Sequence, residues 1–364
     1  MFKIRKIVGL AVVLSVLTGG GALLFAAGQR GNSGKVKIGV SMPTQSLQRW
    51  NQDGNNMKAQ LETAGYQVDL QYAGDNDIPT QVNQLENMIT GGARVLVIAA
   101  IDGSALTEVL KQAKEKNIPV IAYDRLIMNS DAVSYYASFD NFKVGTLQGS
   151  YIESKLNLKN AAGPFNIELV TGAPDDNNVN FFFGGALSVL KPYIDSGKLK
   201  VLSGQTAQAQ AATPNWSTEE AQKRFENIIT SVKYSPRDIK LDAVLCSNDS
   251  TANGVTNALV NAGYTKDNFP ILTGQDCDKP SVKNMNAGLQ AMSVFKDTRT
   301  LASKVVEMVN ALATGSTPPV NDTKTYNNGT GIIPSFLCDP IIVEPKDIQA
   351  MLIQSGYYSL ADIQ

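Results

Sequence analysis

Arg94-Val95-Leu96-Val97-Ile98-Ala99 and Ile118-Pro119-Val120-Ile121-Ala122-Tyr123-Asp124-Arg125 decide the fold. Each is an apolar run without alternation, which suits a parallel strand covered on both faces. Between them Ser104 to Lys116 reads as a helix. Strand, helix, strand in this order predicts a parallel sheet with right-handed crossovers.

Working outward, Val36 to Val40 is a short strand running into a polar loop at Pro43-Thr44-Gln45. A helix follows over roughly Gln48 to Ala64 and stops at Gly65, the residue type that most readily ends a helix. Tyr66 to Tyr72 reads as the next strand, and Asp77-Ile78-Pro79 opens a helix with an acid and a proline at its start. That helix carries Ile78, Val82, Leu85, Met88 and Ile89 on one face.

The alternation restarts at Phe165 to Val170 and continues through Val201, Leu241 to Leu245 and Pro270 to Thr273. Gln290 to Phe295 is then a strand, Thr298 to Ala313 a helix, and Ile332 to Val343 an extended stretch broken by Pro334 and Pro340. One core cannot cover that many strands, so the expected architecture is α/β with two Rossmann-like lobes, each built on a parallel sheet. The seam falls near Ser138-Phe139-Asp140-Asn141.

Lys3, Arg5 and Lys6 precede an uncharged apolar run from Ile7 to Ala27 and a Gly/Asn/Ser segment. This order predicts a cleaved signal peptide over 1–27 and a linker over 28–35. An uncleaved membrane anchor is the rival reading, weakened by Gly19-Gly20-Gly21, since each glycine costs a helix about 1 kcal/mol.

The 364 residues hold 32 Lys and Arg against 33 Asp and Glu, a net charge of −1, and no histidine. Loss of Lys3, Arg5 and Lys6 takes −1 to −4. This balance gives no footprint for nucleic acid. Zero histidine excludes Ser-His-Asp and Cys-His nucleophile systems and His-containing zinc sites. Cys246, Cys277 and Cys338 are too few and too far apart for a zinc ribbon or a disulfide framework. Neither a metal nor a cofactor is expected.

Ligands of open parallel sheets collect at the carboxyl ends of strands. The polar residues there are Arg49 and Trp50; Asp102; Asp124 and Arg125; Asp175, Asp176, Asn177 and Asn178; Asn248 and Asp249; Asp276; and Lys296. Any one alone reads as a helix cap or a solvated loop residue. Their repetition at one topological position in both lobes predicts a shared cleft. Arg49, Arg125 and Lys296 would balance Asp124, Asp176 and Asp276, which suits a neutral ligand rich in hydroxyls. Trp50 and Trp216, the only tryptophans, would stack on the apolar face of a pyranose.

Met42-Pro43-Thr44, Arg49-Trp50, Gln84 to Ile89, Ala122-Tyr123-Asp124-Arg125-Leu126, Ser138 to Asn141, Pro174 to Asn178, Ser247-Asn248-Asp249, Gly274-Gln275-Asp276 and Phe295-Lys296 resemble the periplasmic sugar-binding proteins of ABC transporters. The likeness is to the type I, xylose and multiple-monosaccharide branch. Val189 to Lys198 and Asn321 to Tyr326 resemble its multi-sugar receptors, which also signal sugar presence. The Ser203 to Pro214 loop departs from the family pattern.

The resemblance implies two lobes joined by three hinge strands, crossing near Phe139, Phe295 and Pro334. The first lobe would hold 36–139 and 296–333, and the second 140–295 and 334–364. Arg49, Trp50, Asp124 and Arg125 would reach a sugar from the first lobe, Asp176, Asn178, Trp216, Asn248 and Asp276 from the second, and Lys296 from a crossing. Implied partners are a monosaccharide, the permease of an ABC importer and a sensor or chemoreceptor; the protein would be a periplasmic monomer.

Two other classes compete. A secreted sugar-acting enzyme could use Asp175 and Asp176 as acid and base, although adjacent residues seldom face one bond. Neither a G-x-x-x-x-G-K-[ST] loop nor a G-x-G-x-x-G turn lies between strand and helix. A sugar-responsive transcription factor on the same core would need an N-terminal helix-turn-helix, where this chain carries its apolar leader. With no histidine among the ligand groups, affinity is expected to be nearly flat between about pH 6 and 8.

Overall fold

Val97 and Ile121 become partners in adjacent parallel strands at the middle of a six-stranded sheet. The structure is a computed structural model that describes residues 34–363. The expected leader over 1–27 lies outside the described residues, as does most of the linker.

The first half runs β1 (Lys37–Met42), α1 (Gln48–Thr63), β2 (Gln67–Tyr72), α2 (Ile78–Thr90), β3 (Val95–Ile98), α3 (Thr107–Glu115), β4 (Val120–Tyr123) and β5 (Val133–Phe139). The second runs α4 (Asn141–Lys155), β6 (Phe165–Val170), α5 (Asn178–Asp195), β7 (Leu199–Lys200), α6 (Gln208–Ala211), α7 (Thr218–Val232), β8 (Ala243–Cys246), α8 (Asp249–Asn261), β9 (Ile271–Leu272), α9 (Lys279–Asn286) and β10 (Ser293–Phe295). The chain closes with α10 (Thr298–Thr314), β11 (Ser335–Cys338) and β12 (Ile341–Val343).

The first sheet has the order β11-β5-β4-β3-β1-β2, all parallel. Successive residues of β3 face opposite layers, as a pleated strand requires. Leu96 and Ile98 pack with Leu85, Met88 and Leu110 of α2 and α3. Val95 and Val97 pack with Met57 and Leu61 of α1 and Leu301 and Val305 of α10. All four strand residues are buried, each contributing about 1.5–3 kcal/mol against exposure. That two-sided cover is why β3 shows no polar alternation.

The second sheet has the order β7-β6-β8-β9, again parallel. One face carries Ile152, Phe183 and Leu190 of α4 and α5, the other Phe225, Ile228 and Val255 of α7 and α8. A parallel bridge from Gln275 to Val294 attaches β10, which pairs antiparallel with β12.

Two expectations change. Strand β5 was expected only as a seam: its Ser134-Tyr135-Tyr136-Ala137-Ser138 sequence lacks an apolar run, yet it pairs in parallel with β4 and β11. The boundary expected at 333/334 lies too early. Ser335–Cys338 hydrogen-bonds to β5 through Cys338↔Phe139, so the last passage between sheets falls at Asp339-Pro340. Proline lacks the N–H that would continue the ladder there.

Candidate functional site

The carboxyl ends of both sheets face one cavity, lined by residues from both halves of the chain. All ten residues nominated from the sequence line it: Arg49, Trp50, Asp124, Arg125, Asp176, Asn178, Trp216, Asn248, Asp276 and Lys296. Asp175 instead lines an adjoining pocket with Thr44, Asp75 and Asn215. Asp249 lies beneath the floor, fully buried; Asp102 and Asn177 are in neither pocket.

Arg49, in the first turn of α1, is the hub. Its Nε donates to Asp53 Oδ2 at 2.9 Å, its Nη1 to Asp276 Oδ1 at 3.1 Å, and its Nη2 to Asp124 Oδ1. Lys296 Nζ sits 3.0 Å from Asp276 Oδ1 and 3.8 Å from Asp124 Oδ1. On the other side Arg125 Nε is 3.1 Å from Asp176 Oδ2, while its Nη1 donates to the carbonyls of Ala100 and Ile101.

Burial pushes the carboxyl of Asp124 up, but Arg49, Lys296 and Arg125 outweigh it and hold that group below the usual range. Burial wins for Asp53 and Asp176, which are raised despite Arg49 and Arg125 respectively. The Arg49 guanidinium is held well above its ordinary value: burial lowers it, and Asp124, Asp53 and Asp276 together reverse that.

Three of the ten nominated residues have left-handed backbones: Asp124 (φ +56°), Trp216 (+55°) and Asp276 (+99°). Such conformations cost on the order of 1–3 kcal/mol in non-glycine residues and persist where surroundings over-determine them. At Asp124 the surroundings are explicit. Arg125 N donates back to the Tyr123 carbonyl at 2.6 Å. The Asp124 carbonyl accepts from Tyr136 Oη (2.6 Å), Asn178 Nδ2 (2.8 Å) and Ser138 Oγ (3.0 Å).

Trp216 enters because residue 172 is glycine. A Cβ there would lie 2.0 Å from the Trp216 Cη2 atom, so any other side chain would push the indole out. The ring is fixed by Nε1 donating to Asp176 Oδ2 at 3.2 Å and by Phe182 edge-on, centroids 6.2 Å apart. Trp50 lies beside both guanidinium groups, 5.4 Å from the Arg49 Cζ and 5.1 Å from the Arg125 Cζ. Asn248 serves twice: its Oδ1 caps α8 by accepting Thr251 N at 3.0 Å, and the residue also lines the cavity.

Leu47, Phe182, Ser250, Gln275 and Asp278 also line the cavity and were not nominated. Phe182 sits in α5 and reads as helix core. Asp278 was legible as the second acid of Asp276-Cys277-Asp278, but Asp278-Lys279-Pro280 reads as an ordinary helix start. Its position alters two expectations. With Asp278 the lining holds four acids against the three cations Arg49, Arg125 and Lys296. Burial, followed by the charge of Asp276, pushes the Asp278 carboxyl up from the usual carboxylate range, so one cavity acid has its ionisation moved toward neutrality.

Comparison with known proteins places this geometry. Residues 38–317 match the periplasmic binding protein domain family. The chain is 52% identical over 326 residues to the multiple sugar-binding periplasmic receptor ChvE of Rhizobium radiobacter, covering 89% of this chain and 91% of that protein. It is 37% identical to the D-xylose-binding periplasmic protein of Escherichia coli, covering 90% and 93%. An ABC transporter solute-binding protein from Clostridium phytofermentans, solved with bound β-D-glucose, superposes with a TM-score of 0.87 at 60% identity, covering 90% of this chain and all of that one.

Proposed function

The chain belongs to the periplasmic binding protein family, and from that premise we propose that it captures one neutral monosaccharide in this cavity and delivers it to the permease of an ABC importer. It is a binding protein and not an enzyme, and it works in the periplasm. The single observation that carries the proposal is the cavity lining: cations, carboxylates, three amides and two indoles from both sheets face one space. Carboxylates and guanidinium groups hold neighbouring hydroxyls with charge-assisted bonds, and indole faces suit the C–H face of a pyranose.

The ligand sits between lobes that close on it, with the first lobe taking 36–139 and 296–338 and the second the remainder. Each ligand residue then acts by side. Arg49, Asp124 and Arg125 reach from the first lobe, Asp176, Asn178, Asn248 and Asp276 from the second, and Lys296 from the crossing after β10. Trp50 and Trp216 flank the ring. Closure stabilised by ligand presents a joined surface to the permease, and a sensor could read the same surface. Export uses 1–27 as a cleaved signal peptide.

The D-xylose-binding relative and the neighbour solved with β-D-glucose support the pentose and hexose class. A hydrolytic reading gains no support from Asp175 and Asp176, because the two carboxylates line different pockets. A thermal-shift panel of D-glucose, D-xylose, D-galactose and L-arabinose tests the proposal. At least one sugar should raise the melting temperature in a saturable way; no response to any of them would reject it.

A further inference from the structure

Asp278 stands apart from the other cavity carboxylates. Arg49 and Lys296 hold Asp124 and Asp276; Trp216 Nε1, Arg125 and the Asn178 N–H hold Asp176. Asp278 lines the same space, is 6% exposed, and occupies the cap position of α9 without making a side-chain capping bond. Its Oδ1 is buried and, among the described residues, has no hydrogen-bond partner. Next along the wall, Gln275 donates through Nε2 to the Ser247 carbonyl and leaves its Oε1 buried and equally unpartnered. A buried acceptor without a donor costs free energy, and a carboxylate costs most. One cavity lining therefore holds two buried acceptors without donors, which suits a ligand that brings hydroxyl donors.

We propose that Asp278 is a ligand-contacting carboxylate whose Oδ1 accepts a sugar hydroxyl beside Gln275 Oε1, so that its ionised form binds sugar more tightly than its protonated form. The inference rests on the monosaccharide reading of the cavity and adds to it a residue and a pH dependence.

The groups facing Asp278 come from every neighbouring element. From α1 come Arg49, which favours ionisation, and Asp53, which opposes it; Lys296 after β10 also favours it. Asp276 opposes ionisation from the same loop. Asp249 at the start of α8 accepts the Asp278 N–H at 2.8 Å and is itself raised by burial and then by Asp278. Cys277 is a buried thiol, pushed up by burial and by Asp249. Tyr358 donates to the Cys277 carbonyl, and the neighbouring Lys279 ammonium pairs with Asp362. Burial comes first among the causes that push the Asp278 carboxyl up, with the charge of Asp276 next. A hydroxyl donor favours the carboxylate and lowers this value in the complex. Affinity therefore stays constant above the ligand-free value and weakens as pH falls through it.

The test is calorimetric titration of the wild type, Asp278→Asn, Asp278→Ala and Lys279→Ala with D-glucose, D-xylose, D-galactose and L-arabinose at about pH 8 and about pH 5.5. The wild type should bind at least about threefold more weakly at the lower pH. Asp278→Asn and Asp278→Ala should lose about tenfold or more at the higher pH and show no remaining pH dependence. Lys279→Ala should keep the wild-type profile, and melting curves of the free variants confirm folding. Wild-type affinity in Asp278→Asn, an undiminished pH profile in it, or tighter wild-type binding at low pH would overturn the inference while leaving sugar capture intact. A wild type that binds none of the four sugars overturns both.

Discussion

Arg49 Nη1 donates to Asp276 Oδ1 at 3.1 Å, joining the first turn of α1 to the strand end of the second sheet. The same guanidinium bonds Asp53 and Asp124, so it touches three buried carboxylates, two of which it shares with the Lys296 ammonium. Arg49→Ala should therefore cost about 3–5 kcal/mol of unfolding free energy, the penalty for stranding buried charge. Urea denaturation without sugar measures it. Arg49→Lys should recover only part, because an ammonium cannot make the three-way fork.

Gly172→Ala places a methyl inside the Trp216 ring. Overpacking of this kind costs about 1–3 kcal/mol, and here it also displaces a cavity wall. The variant should melt lower, bind sugar more weakly and shift its tryptophan emission.

Both tryptophans line the cavity, so sugar binding should change intrinsic fluorescence in a saturable way. Trp50→Phe and Trp216→Phe should each retain part of the signal. A signal lost entirely in one and unchanged in the other would assign it to a single ring.

Ligand-free stability should fall as pH rises from about 4 to about 7. Asp278 and Asp249 have folded values above the unfolded carboxyl value near 3.9, so the folded protein binds more protons across that window and loses stability as they leave. Asp53 and Asp176 act in the same sense. Asp124 is depressed, so its contribution is present above about pH 4 and lost only below. Scanning calorimetry should find the highest melting temperature near about pH 4, with a decline toward about pH 7 that Asp278→Asn should flatten.

The apolar runs at β3 and β4 were legible because strands covered on both faces need no polar residue. Strand β5 was not, since its tyrosines and serines are set by what they support: Tyr136 and Ser138 clamp the Asp124 carbonyl. Arg49, Asp124, Asp176 and Asp276 were readable from their place at strand ends. Phe182 and Asp278 were not. A helix face and a helix cap have ordinary explanations for those residue types, and only packing turns them toward the cavity. The left-handed backbones of Asp124, Trp216 and Asp276 were likewise invisible, because no glycine marks them.

Calorimetric titration of the wild-type protein with D-glucose, D-xylose, D-galactose and L-arabinose at about pH 8 tests the central claim most directly. One-to-one binding of at least one sugar with a micromolar dissociation constant, about −8.2 kcal/mol, is the predicted result. The absence of saturable heat with all four at millimolar concentration would contradict it.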